Sequence, residues 1–154
     1  MKAVSYYLNS VMKDITSLGG IMFYAVLLVF SYFLDIRVFY KLLAGAFLIY
    51  IINVPLKLIF YKDRPNKMGY RALWEKFEAS SFPSVHSARA VFLALVFWDT
   101  SMPLALKVFV VLIAALVMVS RVWLKKHFWS DVAAGIISGL VIFYIAENLV
   151  ALVL

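Results

Sequence analysis

The sequence predicts an all-α integral membrane helical bundle of about five spans with amphipathic interfacial helices. Three observations carry that expectation. Of 154 residues, 66% are hydrophobic, and mean hydropathy is +0.97. Several apolar runs approach or exceed the roughly 20 residues needed to cross a bilayer. Charged residues gather at the ends of those runs instead of inside them. The whole chain, residues 1–154, reads as a single membrane domain.

The first element, residues 1–18, carries Val4, Tyr7, Leu8, Val11, Ile15 and Leu18 at helical spacing, with Asn9, Lys13 and Asp14 mostly off that stripe. An amphipathic helix lying on the membrane is expected there, and Gly19-Gly20 allow a bend into the first span. That span runs over about 20–34 and ends before Asp35. The second, about 38–61, stops at Pro65, which cannot continue a helix. The loop 66–80 repeats Tyr70, Leu73, Trp74 and Phe77 at i, i+3, i+4, i+7, the pattern of a second interfacial helix. Pro83 suits the start of a third span over about 84–99. A fourth is expected over about 103–123, and a fifth over about 130–152 with Ser130 as N-cap. In the fifth, Ala134, Gly135, Ser138 and Gly139 form overlapping pairs of small residues that let helices approach closely.

Turns of only a few residues join spans one to two and three to four, which makes those neighbours antiparallel. The end of span two, the start of span three, the end of span four and the start of span five then share one side of the membrane. Composition narrows the chemistry available there. The chain has no Cys, hence no disulfide, thiol nucleophile or zinc-finger spacing. Its formal net charge is +7, but the cations cluster at span ends. There they suit phosphates and anionic lipid headgroups, not nucleic acid. No cleavable signal peptide is visible, and the first spanning helix is expected to act as the insertion signal.

Three stretches on the shared side carry candidate chemistry, and the chain's two histidines both fall within them. Lys57 and Arg64 lie seven residues apart. On one continuous helix they would share a face and grip a phosphate; singly, they also suit snorkelling interface residues. Pro83-Ser84-Val85-His86 opens span three. The first N–H groups of a helix have no internal partner and face the positive dipole end, so a phosphate oxygen fits there. The Ser84 hydroxyl adds a donor, and His86 can supply a leaving-group proton. Ser120-Arg121 ends span four, and His127 and Asp131 straddle the start of span five. Their i, i+4 spacing lets a carboxylate hold one imidazole nitrogen and leave the other free to attack; it equally describes an exposed ion pair. Arg89, one turn after His86, could tune that histidine or touch a headgroup but reads best as a snorkelling surface cation, and Glu147 falls near the opposite interface.

Lys57 with Arg64-Pro65, then Pro83-Ser84-Val85-His86, then Ser120-Arg121 with His127 and Asp131, resembles the three-part signature of the phosphatidic acid phosphatase type 2 family. The motifs span residues 57–131, and the helix pattern extends the likeness to nearly the whole chain. The short five-span form with a surface N-terminal helix is similar to the bacterial undecaprenyl diphosphate phosphatases of that family. One departure is Val85, where the family usually has Gly; its N–H remains available, but the backbone approaches phosphate less closely.

The resemblance implies a metal-independent lipid phosphatase with no cofactor. His127 would be the nucleophile, forming a phosphohistidine. Asp131 would orient it, and His86 would be general acid and then base for water. Lys57, Arg64, Ser84, Val85 and Arg121 would bind phosphoryl oxygens. No carboxylate cluster offers a magnesium site, and three cations would supply the charge neutralisation instead. The expected substrate is a polyprenyl diphosphate, with phosphatidate or phosphatidylglycerophosphate next. A non-catalytic lipid-phosphate binder is the rival that Val85 favours, and vanadate-dependent halide oxidation is the rival that the motif set shares. The expected location is the cell membrane, multi-pass. Outside the motifs, the active side carries Lys2, Lys13, Lys62, Lys67, Arg71, Lys76, Arg89, Lys125 and Lys126, against Arg37, Lys41 and Lys107 on the other side. That excess favours a cytoplasmic site, whereas the resemblance favours the extracytoplasmic face, which is the expectation adopted.

Overall fold

The computed structural model describes residues 2–154, which form seven helices and no strand. They are α1 (Lys2–Ser17), α2 (Ile21–Leu34), α3 (Ile36–Ile59), α4 (Leu73–Ala79), α5 (Val85–Trp98), α6 (Leu104–Trp123) and α7 (Trp129–Ala151). The five apolar helices expected as spans are all present. Three of them, α3, α6 and α7, are each long and apolar enough to cross a membrane. The α1–α2 pair meets the same test jointly, broken by a bend of 42° at the glycine pair.

Helix α5 has 14 residues and rises about 21 Å, short of the ~30 Å hydrocarbon core. The non-helical segment Ser80–Ser84 extends it toward the active side. Nonhelical backbone at that depth must have its polar groups satisfied. Ser81 N–H donates to the Lys62 carbonyl at 2.8 Å and Ser84 N–H to the Asp131 carbonyl at 3.0 Å. Ser80, Ser81 and Ser84 are fully buried.

The core joins Tyr24 of α2, Leu42 and Ile49 of α3, Phe92 and Val96 of α5, and Ile142 of α7. The small residues expected to bring α7 close do so against α5. A Cβ on Gly135 would stand 2.5 Å from the Ser84 carbonyl oxygen, and one on Gly139 would stand 2.6 Å from that of Ala88. A second cluster packs Ile15 and Leu18 of the α1 end against Ala90 and Ala94 of α5 and Ala114 and Val117 of α6. Helix α1 crosses the end of α6, where Trp123 Nε1–H donates to Asn9 Oδ1 at 3.0 Å.

At the end of the bundle remote from the motifs, the buried Lys41 ammonium bridges Asp99 of the α5 terminus and Glu147 of α7. One cation thus ties α3, α5 and α7 together, with Glu147 far from the motif histidines as expected.

Two local expectations are corrected. Helix α3 ends at Ile59, where Phe60 leaves helical geometry (φ −102°, ψ 52°), so Lys57 and Arg64 do not share one helix. The loop helix is only α4, seven residues long. It starts at Leu73 because Glu75 caps it, accepting from Arg71 N–H at 2.6 Å and Ala72 N–H at 3.2 Å.

Candidate active site

Lys57, Arg64, Val85, His86, Arg121 and His127 line one cavity of about 330 Å³. They come from the end of α3, the loop after it, the start of α5, the end of α6 and the turn into α7. Lys57 is buried, donates to the Ser80 carbonyl and stands 5.3 Å above the Phe77 ring. Arg64 arrives from its loop and is held by the Glu78 carbonyl. The convergence expected from one helix face is therefore made by a turn, with Pro65 following the cation.

The α6–α7 turn is built by Lys125, whose φ of 54° lies in the left-handed region. This folds the chain back so that Lys126 N–H and His127 N–H both donate to the Arg121 carbonyl, at 3.0 and 3.2 Å. Arg121 donates one Nη to Thr16 Oγ1 at 2.9 Å and faces His127 Nε2 with the other at 3.5 Å. The Nε–H groups of Arg64 and Arg121 are buried without a protein partner. A buried guanidinium N–H without a partner among the described residues is costly.

His127 Nδ1 lies 2.7 Å from the Ser81 carbonyl oxygen. A carbonyl can only accept, so the proton is on Nδ1, and Nε2 presents its lone pair. Burial first, then the charges of Arg121, Arg64 and Lys57, hold this imidazole well below its ordinary pKa. The ring is neutral at pH 7, the state that a nucleophile needs.

The expected bond from Asp131 to His127 is absent. The carboxylate stands 3.9 Å from Nδ1, beyond hydrogen-bond range. Its Oδ2 accepts from Phe128 N–H at 2.9 Å, and its Oδ1 pairs with Lys62 Nζ at 2.6 Å. The cause is the helix start: α7 begins at Trp129, so Asp131 sits at the third position and caps the helix, a role expected of Ser130.

Ser84 also differs from expectation. It is fully buried, caps α5 by accepting from Ser87 N–H, and receives the Ser87 hydroxyl at 2.9 Å. Both bonds use lone pairs of its oxygen, and Ser84 does not line the cavity, whereas Val85 and His86 do. Val85 is the first residue of the helix, and its N–H has no carbonyl one turn behind it.

Two residues at the site escaped the sequence reading. Lys62 bonds Ser130 Oγ at 2.8 Å besides Asp131, and lies 4.5 Å from the Phe128 ring. Ser81 acts through its carbonyl, which no side-chain motif reveals. Arg89, expected at the surface, is only 3% exposed. It donates to the Gly19 carbonyl at 2.7 Å and approaches the Tyr50 hydroxyl at 3.4 Å.

A family profile for the PAP2 superfamily matches residues 38–152. The chain belongs to that superfamily. Among solved structures, it is similar to LpxE of Aquifex aeolicus, with a TM-score of 0.78 and 24% identity over 92% of this chain and 86% of that one. It is also similar to the transmembrane PAP2-type phosphatidylglycerolphosphate phosphatase of Bacillus subtilis, with a TM-score of 0.71 and 27% identity over 93% of this chain and 76% of that one. No curated protein sequence matches. Family and fold together define the class: a membrane enzyme, a phosphatase acting on lipid phosphates.

Proposed function

We propose that the protein hydrolyses a polyprenyl diphosphate or related lipid phosphate through a phosphohistidine on His127, without a metal. The observation that carries this reading is the convergence of Lys57, Arg64 and Arg121 on one cavity with His127, whose Nε2 faces Arg121 and whose Nδ1–H is held by the Ser81 carbonyl.

In the first step Nε2 attacks phosphorus, and the bond from phosphorus to the leaving oxygen breaks with its electrons on that oxygen. His86 delivers a proton there. In the second step His86 takes a proton from water, the hydroxide oxygen bonds to phosphorus, and the P–N bond breaks to return His127 and inorganic phosphate. The three cations hold the equatorial oxygens, where charge spreads in phosphoryl transfer. Asp131, near the ring but outside hydrogen-bond range, favours the imidazolium that forms.

An extracytoplasmic site is part of this reading. Of the cations that weigh against it, Lys62 and Arg89 are spent inside the protein on Asp131 and Gly19, and Lys126 lines the cavity. They therefore count less as free topological signals. Labelling a single Cys placed in the 66–72 segment of intact cells tests the face.

Phosphate release from a polyprenyl diphosphate in detergent with EDTA tests the chemistry. Turnover should persist. Loss of turnover on chelation, restored by a divalent cation, contradicts the metal-free reaction.

A further inference from the structure

The phosphate cavity has more positive charge than one phosphoryl group requires. Beyond Lys57, Arg64 and Arg121, its wall contains Arg89 and Lys126, and the lining includes a single carboxylate, Glu78. Its volume of about 330 Å³ is roughly ten times the ~30 Å³ share of a liquid water. An orthophosphate would fill only part of it.

Arg89 is placed to serve a different part of the ligand from the motif cations. It follows His86 by three residues on α5, hence by one turn and about 4.5 Å toward the bilayer interior. Both residues border the same hinge: the His86 ring flanks Gly19, whose carbonyl accepts from Arg89. Among the described residues, Arg89 bonds with one Nη to Gly19 and makes a long contact from the other to Tyr50. Three of its five N–H groups remain for other acceptors. Tyr50 stands across from it on α3, seven residues before Lys57 and so about 10 Å deeper than that residue along the helix. The guanidinium is almost fully buried, which gives a rigid, desolvated donor set and not a snorkelling chain.

The geometry points to Arg89, aided by the Tyr50 hydroxyl, as the subsite for the inner phosphate of a lipid diphosphate. This rests on the phosphatase reading and deepens it. With the terminal phosphorus at His127, the bridging oxygen falls at His86. The inner phosphate then lies beyond His86 toward the lipid chain, on the side where Arg89 waits. When the terminal P–O bond breaks, the charge left on the bridging oxygen belongs to a lipid monophosphate. Arg89 stabilises that leaving group, so it acts on turnover as well as binding. A monoester presents no group to this subsite.

The test compares kcat/KM for a prenyl diphosphate and the matching prenyl monophosphate, in EDTA, for wild type, Arg89→Gln and Tyr50→Phe. The diphosphate-to-monophosphate ratio should fall at least about tenfold in Arg89→Gln, the loss of a charge-assisted bidentate contact. It should fall a few-fold in Tyr50→Phe. Proportional losses on both substrates would reduce Arg89 to a support for the Gly19 hinge and overturn the subsite. Hydrolysis of neither substrate by the wild type defeats the phosphatase reading itself, a separate result. If Arg89→Gln does not fold, the wild type still decides. A prenyl methylenediphosphonate should inhibit monophosphate hydrolysis at least about tenfold more tightly than the prenyl phosphonate, and equal inhibition refutes the proposal.

Discussion

Lys62 Nζ lies 2.6 Å from Asp131 Oδ1 across 69 residues of chain, pinning the loop after α3 to the start of α7. The two partners are unequal, with the Asp131 side chain fully buried and that of Lys62 38% exposed. Removing the lysine strands a buried carboxylate, whereas removing the carboxylate lets the lysine return to water. Lys62→Met should therefore cost about 3 kcal/mol, and Asp131→Asn less, since the amide oxygen still caps α7. Thermal unfolding in detergent checks the order. Because Ser81 sets the His127 tautomer, Asp131→Asn should lower kcat by about 10- to 100-fold, short of the ~10⁴ that follows when a carboxylate alone holds the ring.

The two histidines should separate by labelling. His127→Ala should trap no phosphoenzyme from any substrate. His86→Ala should lose about 10²–10⁴ in turnover on a lipid substrate, yet still label with an aryl phosphate whose leaving group needs no proton. Acid-quenched ³¹P spectra distinguish these outcomes, and equal loss of label in both variants would dissolve the division of roles.

Stability should depend on pH through His127. Its folded pKa lies below the unfolded value of about 6.5. Above that value both states hold a neutral ring, and this group adds no slope. Below it the unfolded chain takes up a proton that the folded chain refuses, so stability falls as pH drops, by up to ~1.4 kcal/mol per unit. Melting curves from about pH 7.5 to pH 5 should show this slope, and His127→Asn should make it shallower by this one group's share.

Gly135→Ala should damage activity without touching a substrate group. The new methyl would stand 2.5 Å from a backbone oxygen, that of Ser84, which cannot rotate away. Separating α5 from α7 should cost about 1–3 kcal/mol. The histidines on the two sides would shift relative to each other, and a displacement of about 1 Å can cost 10²-fold. Gly69→Ala, with open space around it, is the matched control and should leave the melting temperature within a degree or two.

The helices were legible because hydropathy and short turns leave few arrangements for so apolar a chain. Convergence of the three motifs on one side followed from the same topology, and Lys57, Arg64, His86, Arg121 and His127 do meet. Three things could not be read. Ser81 works through backbone, which has no residue signature. Asp131 is captured by Lys62, and spacing alone could not show that an ammonium 69 residues away, not the imidazole one turn back, wins the carboxylate. Arg89 resembles any interface arginine until the Gly19 hinge is seen folding over it.

Ser84 donates its N–H to the Asp131 carbonyl, and Gly135 rests against the Ser84 carbonyl with nothing between. Two of the three motifs are therefore cast as one rigid piece, and the distance between His86 and His127 is not adjustable. Any widening for a bulkier headgroup has to come from the stretch between Pro65 and Leu73, which has no helix of its own. Divergence in substrate range among proteins built on this plan should accumulate there, while the two histidines stay where they are.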